Sequence, residues 1–311
     1  MRLTVFAPGS VGNVGPGLDV LGLAVAGAGD WVTAELLEVR GIELRDPGHP
    51  DLPVDPARHS SAVAASAVLQ RAGGHRGLAL WALKGLPLSG GQGGSAASAV
   101  AGAVAANECL GRPLGVRDLL EACLEAETAV AGRHADNLAP SLLGGAVLVR
   151  SLDPPDVVTL PTPAGLTVVL AHPDQRMRTA DARAALPVTV SRDVAIHQMA
   201  QVAAMVAALY SGDLALLGRA LEDRIAEPAR APLLPGFLAA KRAALEAGAL
   251  GASISGSGPT AFALANGQTA AERIGFAMAA AYAAAGIRCV IRTGAVDTEG
   301  ARVVSGPGAF A

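Results

Sequence analysis

Basic runs are missing from this sequence, and with them the clustered Lys and Arg that a phosphate-backbone partner needs. The 311 residues carry a net charge of −3 and a pI near 6.1, so no nucleic-acid partner is expected. Aromatic residues make up only 3%, too few for base-stacking platforms. Cysteine is scarce as well: Cys109, Cys123 and Cys289 are odd in number and lack metal-ligand spacing. That argues against a disulfide framework and fits reduced thiols in a cytoplasmic protein. The opening Met1-Arg2-Leu3-Thr4-Val5-Phe6 has no apolar region leading to a cleavage site and reads as a first strand. No long apolar run is free of charge or turn residues. The most apolar helical stretch, 194–210, is interrupted by His197, Gln198 and Gln201, and is expected to be a buried helix of a soluble protein with no membrane partner.

What the chain has in quantity is alanine and glycine. Hydrophobic residues reach 51% and mean hydropathy is +0.40, most of it from alanine. A chain of this length can bury two cores. The proline-rich stretch 153–163 is the expected boundary, giving an N-terminal domain over 1–152 and a C-terminal domain over 153–311. Apolar and β-branched patterning predicts strands over 3–7 (ending at Pro8-Gly9), 31–39, 78–83, 146–149, 167–171, 261–265 and 289–293. Helical patterning covers 61–72, 95–110, 116–131, 191–211, 233–247 and 270–285, and prolines at 47, 50, 53 and 56 mark a loop. Strand pairs separated by helices, without regular βαβ alternation, point to an α+β fold.

The segment Pro87-Leu88-Ser89-Gly90-Gly91-Gln92-Gly93-Gly94-Ser95-Ala96-Ala97 lies between a predicted strand and the long alanine-rich helix. Glycine permits positive φ and lets backbone N–H groups approach an anion without Cβ obstruction. A helix N-terminus adds unpaired donors and about half a positive charge. A glycine cluster by itself is equally a surface loop; the strand-to-helix setting favours a phosphate site. The segment lacks the Lys-Ser/Thr ending of a Walker loop. Nor does it match the Gly-x-Gly-x-x-Gly fingerprint of a dinucleotide fold, which a nucleotide-dependent oxidoreductase would need.

The loop resembles that of the GHMP kinases, roughly Pro-x-Gly-x-Gly-Leu-Gly-Ser-Ser-Ala-Ala. Pro87, Gly91, Gly93, Ser95 and Ala96 are kept, while Ser89 replaces glycine, Gln92 replaces leucine and Gly94 replaces the first serine. Three further segments resemble the homoserine kinases within that superfamily. The run from Ala7 to Gly22, with Asn13, Gly17, Asp19, Leu21 and Gly22, is similar to their Ala-x-x-x-x-Asn-x-x-x-Gly-Phe-Asp-x-Leu-Gly. His134-Ala135-Asp136-Asn137-Leu138-Ala139-Pro140 is similar to His-x-Asp-Asn-x-Ala-Pro, and Gly256-Ser257-Gly258 falls in the C-terminal glycine motif. The likeness runs in order over nearly the whole chain.

The resemblance implies a two-domain α+β GHMP fold, with an N-terminal domain like ribosomal protein S5 domain 2 and a ferredoxin-like C-terminal domain. It implies phosphorylation of L-homoserine by ATP with Mg²⁺, in threonine biosynthesis, by a cytoplasmic homodimer. Ser95 and Glu127 become the metal residues, since Mg²⁺ takes one or two carboxylates with phosphate oxygens and water. Alone, Glu127 would be a solvated charge, and Glu125 competes with it because the spacing to Asp136 is one residue short of some relatives. Asp136 and Asn137, alone merely a turn, should line the acceptor site, Asn137 near the reacting hydroxyl. Asn13, Asp19 and Asp136 are assigned to the substrate's ammonium and hydroxyl. Thr179, Arg183 and Arg230 fall in segments similar to the family's Ser/Thr-Thr-x-x-Ala-Arg and Glu-Pro-x-Arg, and arginine suits two-pronged carboxylate recognition.

Phosphoryl transfer needs positioning and charge neutralisation more than a strong base. The resemblance to homoserine kinases, which as a family lack the obligate aspartate base of mevalonate kinase, implies a positioning role for Asp136. Another GHMP kinase of the mevalonate type is the alternative, as is a non-catalytic ligand-binding homologue, though the latter would be expected to lose Ser95 or Glu127. His59-Ser60-Ser61 stands where relatives carry an asparagine, which leaves the adenine contacts open, and His134 reads as structural.

Overall fold

The computed structural model describes residues 2–130 and 132–305. Strand β1 (Arg2–Gly12) runs antiparallel to β2 (Leu21–Leu37). Pro8-Gly9, expected as the end of the first strand, is instead a bulge inside it. Pro8 pairs with Gly29 but Gly9 with Val25, so residues 26–28 of β2 are looped out without a partner on β1. The second strand begins at Leu21 and not at 31, because glycine-alanine alternation hides its first half. Next come β3 (Gly41–Asp46), which polar residues conceal in the sequence, a short 3-10 turn at Pro56–Arg58, α1 (Ser60–Arg71), β4 (Gly77–Lys84) and α2 (Gly94–Cys109). Helix α3 (Val116–Val130), helix α4 (Leu138–Leu143) and the hairpin β5 (Ala146–Leu152) with β6 (Pro155–Leu160) complete this part. The expected last residue of the third helix, Ala131, lies outside the described residues.

The second part holds β7 (Leu166–Pro173), α5 (Thr179–Ala184), α6 (Arg192–Ser211), α7 (Leu214–Arg219), α8 (Ala226–Arg230) and α9 (Phe237–Glu246). It ends with β8 (Gly251–Ile254), β9 (Ala261–Asn266), α10 (Gln268–Ala284), β10 (Cys289–Ala295) and β11 (Arg302–Val304). Helix α9 starts at Phe237 and not at 233, because Gly236 (φ 81°) caps it.

The larger sheet has the order β11-β1-β2-β4-β3, with β5 on β2 and β6 on β5. The smaller is antiparallel, β10-β7-β9-β8, and with α9 and α10 it has the ferredoxin-like arrangement. The division expected at 152/153 falls inside the β5–β6 hairpin, both of whose strands lie in the larger sheet; β11 also returns there from the far end of the chain.

Three cores follow from this layering. In the first, α1, α2 and α3 cover Val5, Val32, Leu78 and Leu80 of the larger sheet. Helix α2 is apolar all round, and it is buried nearly all round at the centre of that core. Along β7, alternate side chains go to opposite faces. Val169 and Ala171 meet Phe237, Ile274 and Met278 of α9 and α10, while Val168 and Leu170 meet Met205, Leu209 and Leu217 of α6 and α7 beside Leu21 and Leu23. Apart from Ala171, each of these side chains contributes roughly 1.5–3 kcal/mol on burial. Helix α6 corrects the expectation of a buried helix: of its 20 residues only Gln198, Met205, Ala208 and Leu209 are buried. By length and composition it is apolar enough to cross a membrane, but its inner stripe packs into the second core.

Candidate active site

The glycine-rich loop leaves β4 and enters α2, whose cap is Gly93 in the left-handed region (φ 70°) with no side chain closing the first N–H groups. Two close approaches explain its glycines. A Cβ on Gly93 would stand 2.1 Å from Ser10 Oγ, and one on Gly91 2.7 Å from the carbonyl oxygens of Ser255 and Gly258. The loop is tied from behind. Ser255 Oγ donates to the Gly91 carbonyl at 2.6 Å, Thr260 Oγ1 to that of Gly90 at 2.5 Å, and the Ser10 N–H to that of Gln92 at 3.1 Å. The C-terminal glycine segment thus clamps the loop, and its Gly256 N–H donates to the Gly12 carbonyl at 3.1 Å.

At the head of α2, Ser95 Oγ donates to Glu127 Oε1 of α3 at 3.2 Å. The other oxygen, Oε2, is buried without a hydrogen-bond partner. Burial pushes this carboxyl up to about 7; the Ser95 hydrogen bond opposes the rise and the Asp136 charge adds to it. Glu125 points elsewhere and pairs with Arg71 at the surface. Lys84, the last residue of β4, was given no role by sequence reasoning. Its ammonium is buried against Asp30 and donates to the Gly94 carbonyl at 2.9 Å and Ser98 Oγ at 3.0 Å. One signal pointed to it: lysine occurs in this chain only at 84 and 241.

Asp136 and Asn137 sit at the entry to α4, pressed against the end of β1. A Cβ on Gly12 would stand 2.5 Å from Asp136 Oδ2 and 2.3 Å from Asn137 Nδ2. Asp136 Oδ2 accepts from the Asn13 backbone N–H at 3.0 Å, and Ser10 Oγ donates to Asn137 Oδ1 at 2.9 Å. Burial raises the Asp136 carboxyl to about 7, helped by the charge of Asp19 and opposed by the Asn13 N–H and Arg183. Asn13 itself has φ 68°; its Nδ2 donates to the Gly256 carbonyl at 2.8 Å and its Oδ1 accepts from the Asp19 N–H at 3.1 Å.

Arg183, on α5, reaches across to Asp19, donating from Nη1 to Oδ2 at 3.0 Å and from Nη2 to Oδ1 at 2.5 Å. His134 Nδ1 lies 2.9 Å from the same Nη2. Arg230 is buried, with Nε donating to the Ala182 carbonyl at 3.1 Å and Nη1 to that of Gly256 at 2.9 Å. Burial first, and Arg183 second, lower its affinity for its proton.

One cleft of about 540 Å³ gathers these groups. Asn13, Asp19, Lys84, Glu127, His134, Asp136, Asn137, Thr179, Arg183 and Arg230 line it, as do Pro87, Leu88, Ser89, Gly90, Gly91, Gly93, Gly94 and Ser95 of the loop and Gly256 and Ser257 of the glycine motif. Gln92, Ala96, Ala97 and Gly258 lie behind that surface and pack. His59 closes one side, buried, with Nε2 paired to the Pro47 carbonyl and Nδ1 to Ser61 Oγ.

Known proteins resemble this chain in sequence and fold. The GHMP kinases N terminal domain matches residues 60–145 and the GHMP kinases C terminal domain residues 205–284. The homoserine kinase of Chlorobium phaeobacteroides (strain BS1) is 43% identical over 295 residues, 90% of this chain and 92% of its own. That of Arabidopsis thaliana is 43% identical over 321 residues, 98% of this chain and 85% of its own. The crystal structure of homoserine kinase from Cytophaga hutchinsonii ATCC 33406 superposes with a TM-score of 0.94 over 97% of both chains at 43% identity. With the fold, the loop and this likeness in agreement, the chain belongs to the homoserine kinases of the GHMP kinase family.

Proposed function

We infer that this kinase transfers the γ-phosphoryl group of ATP to the side-chain hydroxyl of L-homoserine, giving O-phospho-L-homoserine for threonine biosynthesis. The observation that carries this reading is the juxtaposition in one cleft of an uncapped helix N-terminus behind a glycine loop with a buried Asp136-Asn137 pair and two arginines. The loop N–H groups from Ser89 to Ser95 meet the triphosphate, and the N-terminus of α2 stabilises its charge. Arg183 and Arg230 take the substrate carboxylate, with Thr179 beside them; Asp19 and Asn13 serve the ammonium end. Asn137 and Asp136 orient the hydroxyl. Its oxygen attacks the γ-phosphorus in line, the bond to the ADP oxygen breaks, and the proton passes to the transferred phosphoryl group. No essential base is required, and Asp136 positions.

Ser95 and Glu127 fit a Mg²⁺ ion: a hydroxyl and a buried carboxylate oxygen that lacks a protein partner stand together at the phosphate loop. When bound, the metal would neutralise charge on the phosphate oxygens. The hydrogen-bonded position of Glu127 favours it over the surface-paired Glu125. The assignment extends to a cytoplasmic enzyme, and to a homodimer for which exposed Ile196, Met199 and Tyr210 of α6 offer an apolar surface.

The deciding experiment is ADP release from ATP and Mg²⁺ with L-homoserine, compared with L-serine, L-threonine and mevalonate. Turnover preferring L-homoserine by orders of magnitude supports the reading; equal or better turnover of mevalonate overturns it.

A further inference from the structure

A second cavity, of about 220 Å³, lies behind the phosphate loop and shares no lining residue with the cleft. It exists because the bulge at Pro8/Gly9 pushes residues 26–28 out of the ladder with β1. The displaced backbone is held open by the second part of the fold: Gly294 packs so closely on the Ala26 carbonyl that a Cβ there would come within 2.4 Å, and Val25 bridges to Val296.

The wall is uneven in charge. Arg292 enters it from β10, and no Asp or Glu lines the cavity. Its Nη1 donates at 3.3 Å to the Gly85 carbonyl and at 3.5 Å to Gln92 Oε1, both long and both neutral acceptors. Among the described residues no carboxylate pairs with it. Ser10 and Thr293 also line the wall, their hydroxyls already engaged with Asn137 Oδ1 and Gln268 Nε2, and an apolar patch of Val25, Leu86 and Leu170 completes it. A cation with weak neutral partners, a small apolar pocket and no acid is the complement of a small carboxylate. The missing acid also selects, because an amino acid would bring an ammonium with no counter-charge.

The cavity touches the loop through one side chain. Gln92 sits between Gly91 and Gly93, and its carboxamide faces Arg292 on one side and Thr260 Oγ1 on the other, at 3.3 Å. The Arg292 charge is felt at the loop: His172, whose ring lies 3.2 Å from the Cβ position of Gly90, is held below the usual histidine range by burial and then by Arg292.

We propose that this cavity is a regulatory site for a small monocarboxylate lacking an ammonium group, bound on Arg292 with its alkyl end against Val25 and Leu170. Occupancy neutralises a positive charge behind the loop that receives the triphosphate, and draws Arg292 from Gln92. Carboxylate and ATP therefore weaken each other's binding, and the coupling is reciprocal.

The test uses the intact, unliganded enzyme with 3-methylbutanoate as the probe, titrated calorimetrically beside 3-methylbutanamide, L-valine and inorganic phosphate. Saturable binding of 3-methylbutanoate alone is expected, lost in Arg292→Gln and in Ala28→Leu, which fills the pocket, and retained in Arg230→Gln. In turnover assays the KM for ATP should rise about fivefold and then level off, a size usual for coupled sites. Absence of saturable binding overturns the proposal. So does loss of binding in Arg230→Gln but not Arg292→Gln, which would place the probe in the substrate cleft. Equal affinity for phosphate or L-valine, or inhibition that never levels off, also overturns it. If Arg292→Gln fails to fold, Ala28→Leu decides. Binding is read without either substrate, so its failure leaves the kinase assignment untouched.

Discussion

Arg183 and Asp19 face each other through two hydrogen bonds, at 3.0 and 2.5 Å, so the cleft contains a carboxylate already seated on the arginine fork. Sequence reasoning gave the two residues separate ends of the substrate. Their pairing suggests an exchange: an incoming carboxylate displaces Asp19 from Arg183 and frees it for the ammonium. Removing the Asp19 charge takes away a competitor and a ligand at once, and the ligand term is the larger if the exchange operates. Charge-assisted hydrogen bonds are worth about 1.5–3 kcal/mol. Asp19→Asn should therefore raise the KM for L-homoserine by about ten- to a hundredfold, with a smaller change in kcat. Steady-state kinetics check this; a fall in KM would show Asp19 to be only an internal blocker.

Lys84 carries a second prediction. Its ammonium is buried with Asp30, which also accepts from Ser98 Oγ at 2.7 Å and the Gly85 N–H at 3.2 Å. Lys84→Met strands a buried carboxylate, a change that costs about 3–5 kcal/mol. Adding Asp30→Asn should recover part of that loss in denaturant unfolding. The KM for ATP should stay raised in both variants, because the tie to the Gly94 carbonyl at the head of α2 is gone.

How much of this was legible in the sequence depends on what each residue's neighbours are. The loop, Ser95, Asp136-Asn137 and the arginines announced themselves because their chemistry is local or their motifs are contiguous. Lys84 and Asp30 did not, since they lie 54 positions apart and only the β2–β4 pairing unites them. The bulge at Pro8-Gly9 read as a turn because the same residues serve both. Helix α6 read as buried because composition reports apolarity, whereas burial is decided by what packs against it. Gln92 read as a phosphate-loop residue, yet its side chain turns away from the cleft toward Thr260 and Arg292.

Ser89 stands where the family pattern has glycine, and its φ of 52° supplies the reason for that pattern. A left-handed conformation costs a residue with a Cβ about 1 kcal/mol relative to glycine. Ser89→Gly should relieve that strain, offset by the greater freedom of glycine in the unfolded chain. The expected net gain is about 0.5 kcal/mol, seen as a small rise in Tm, with the KM for ATP changed less than twofold. A drop in Tm would mean that the Ser89 side chain makes a stabilising contact.

The last prediction concerns pH. Glu127 and Asp136 are both carboxyls raised by burial to about 7, from ordinary values of 4.5 and 3.8. In the unfolded chain they lose their protons near the ordinary values; in the folded enzyme they keep them until near neutrality. Between those limits the folded state binds more protons than the unfolded one, so stability falls as pH rises. Below about pH 3 both states are protonated, and above about pH 8 both are ionised, so the slope vanishes at either end. Each group accounts for a loss of a few kcal/mol at most across the window. The ligand-free enzyme should thus melt at a lower temperature at pH 8 than at pH 5.5, by several degrees. Glu127→Gln removes one titrating group and should flatten that slope while lowering kcat a hundredfold or more, since it also takes away the carboxylate assigned to Mg²⁺. Saturating ATP with Mg²⁺ should restore the wild-type Tm at pH 8 and leave the variant little changed. Thermal melts at both pH values, with and without the nucleotide, separate these effects. An unchanged slope in Glu127→Gln would mean that Glu127 is ionised at pH 5.5 despite its burial.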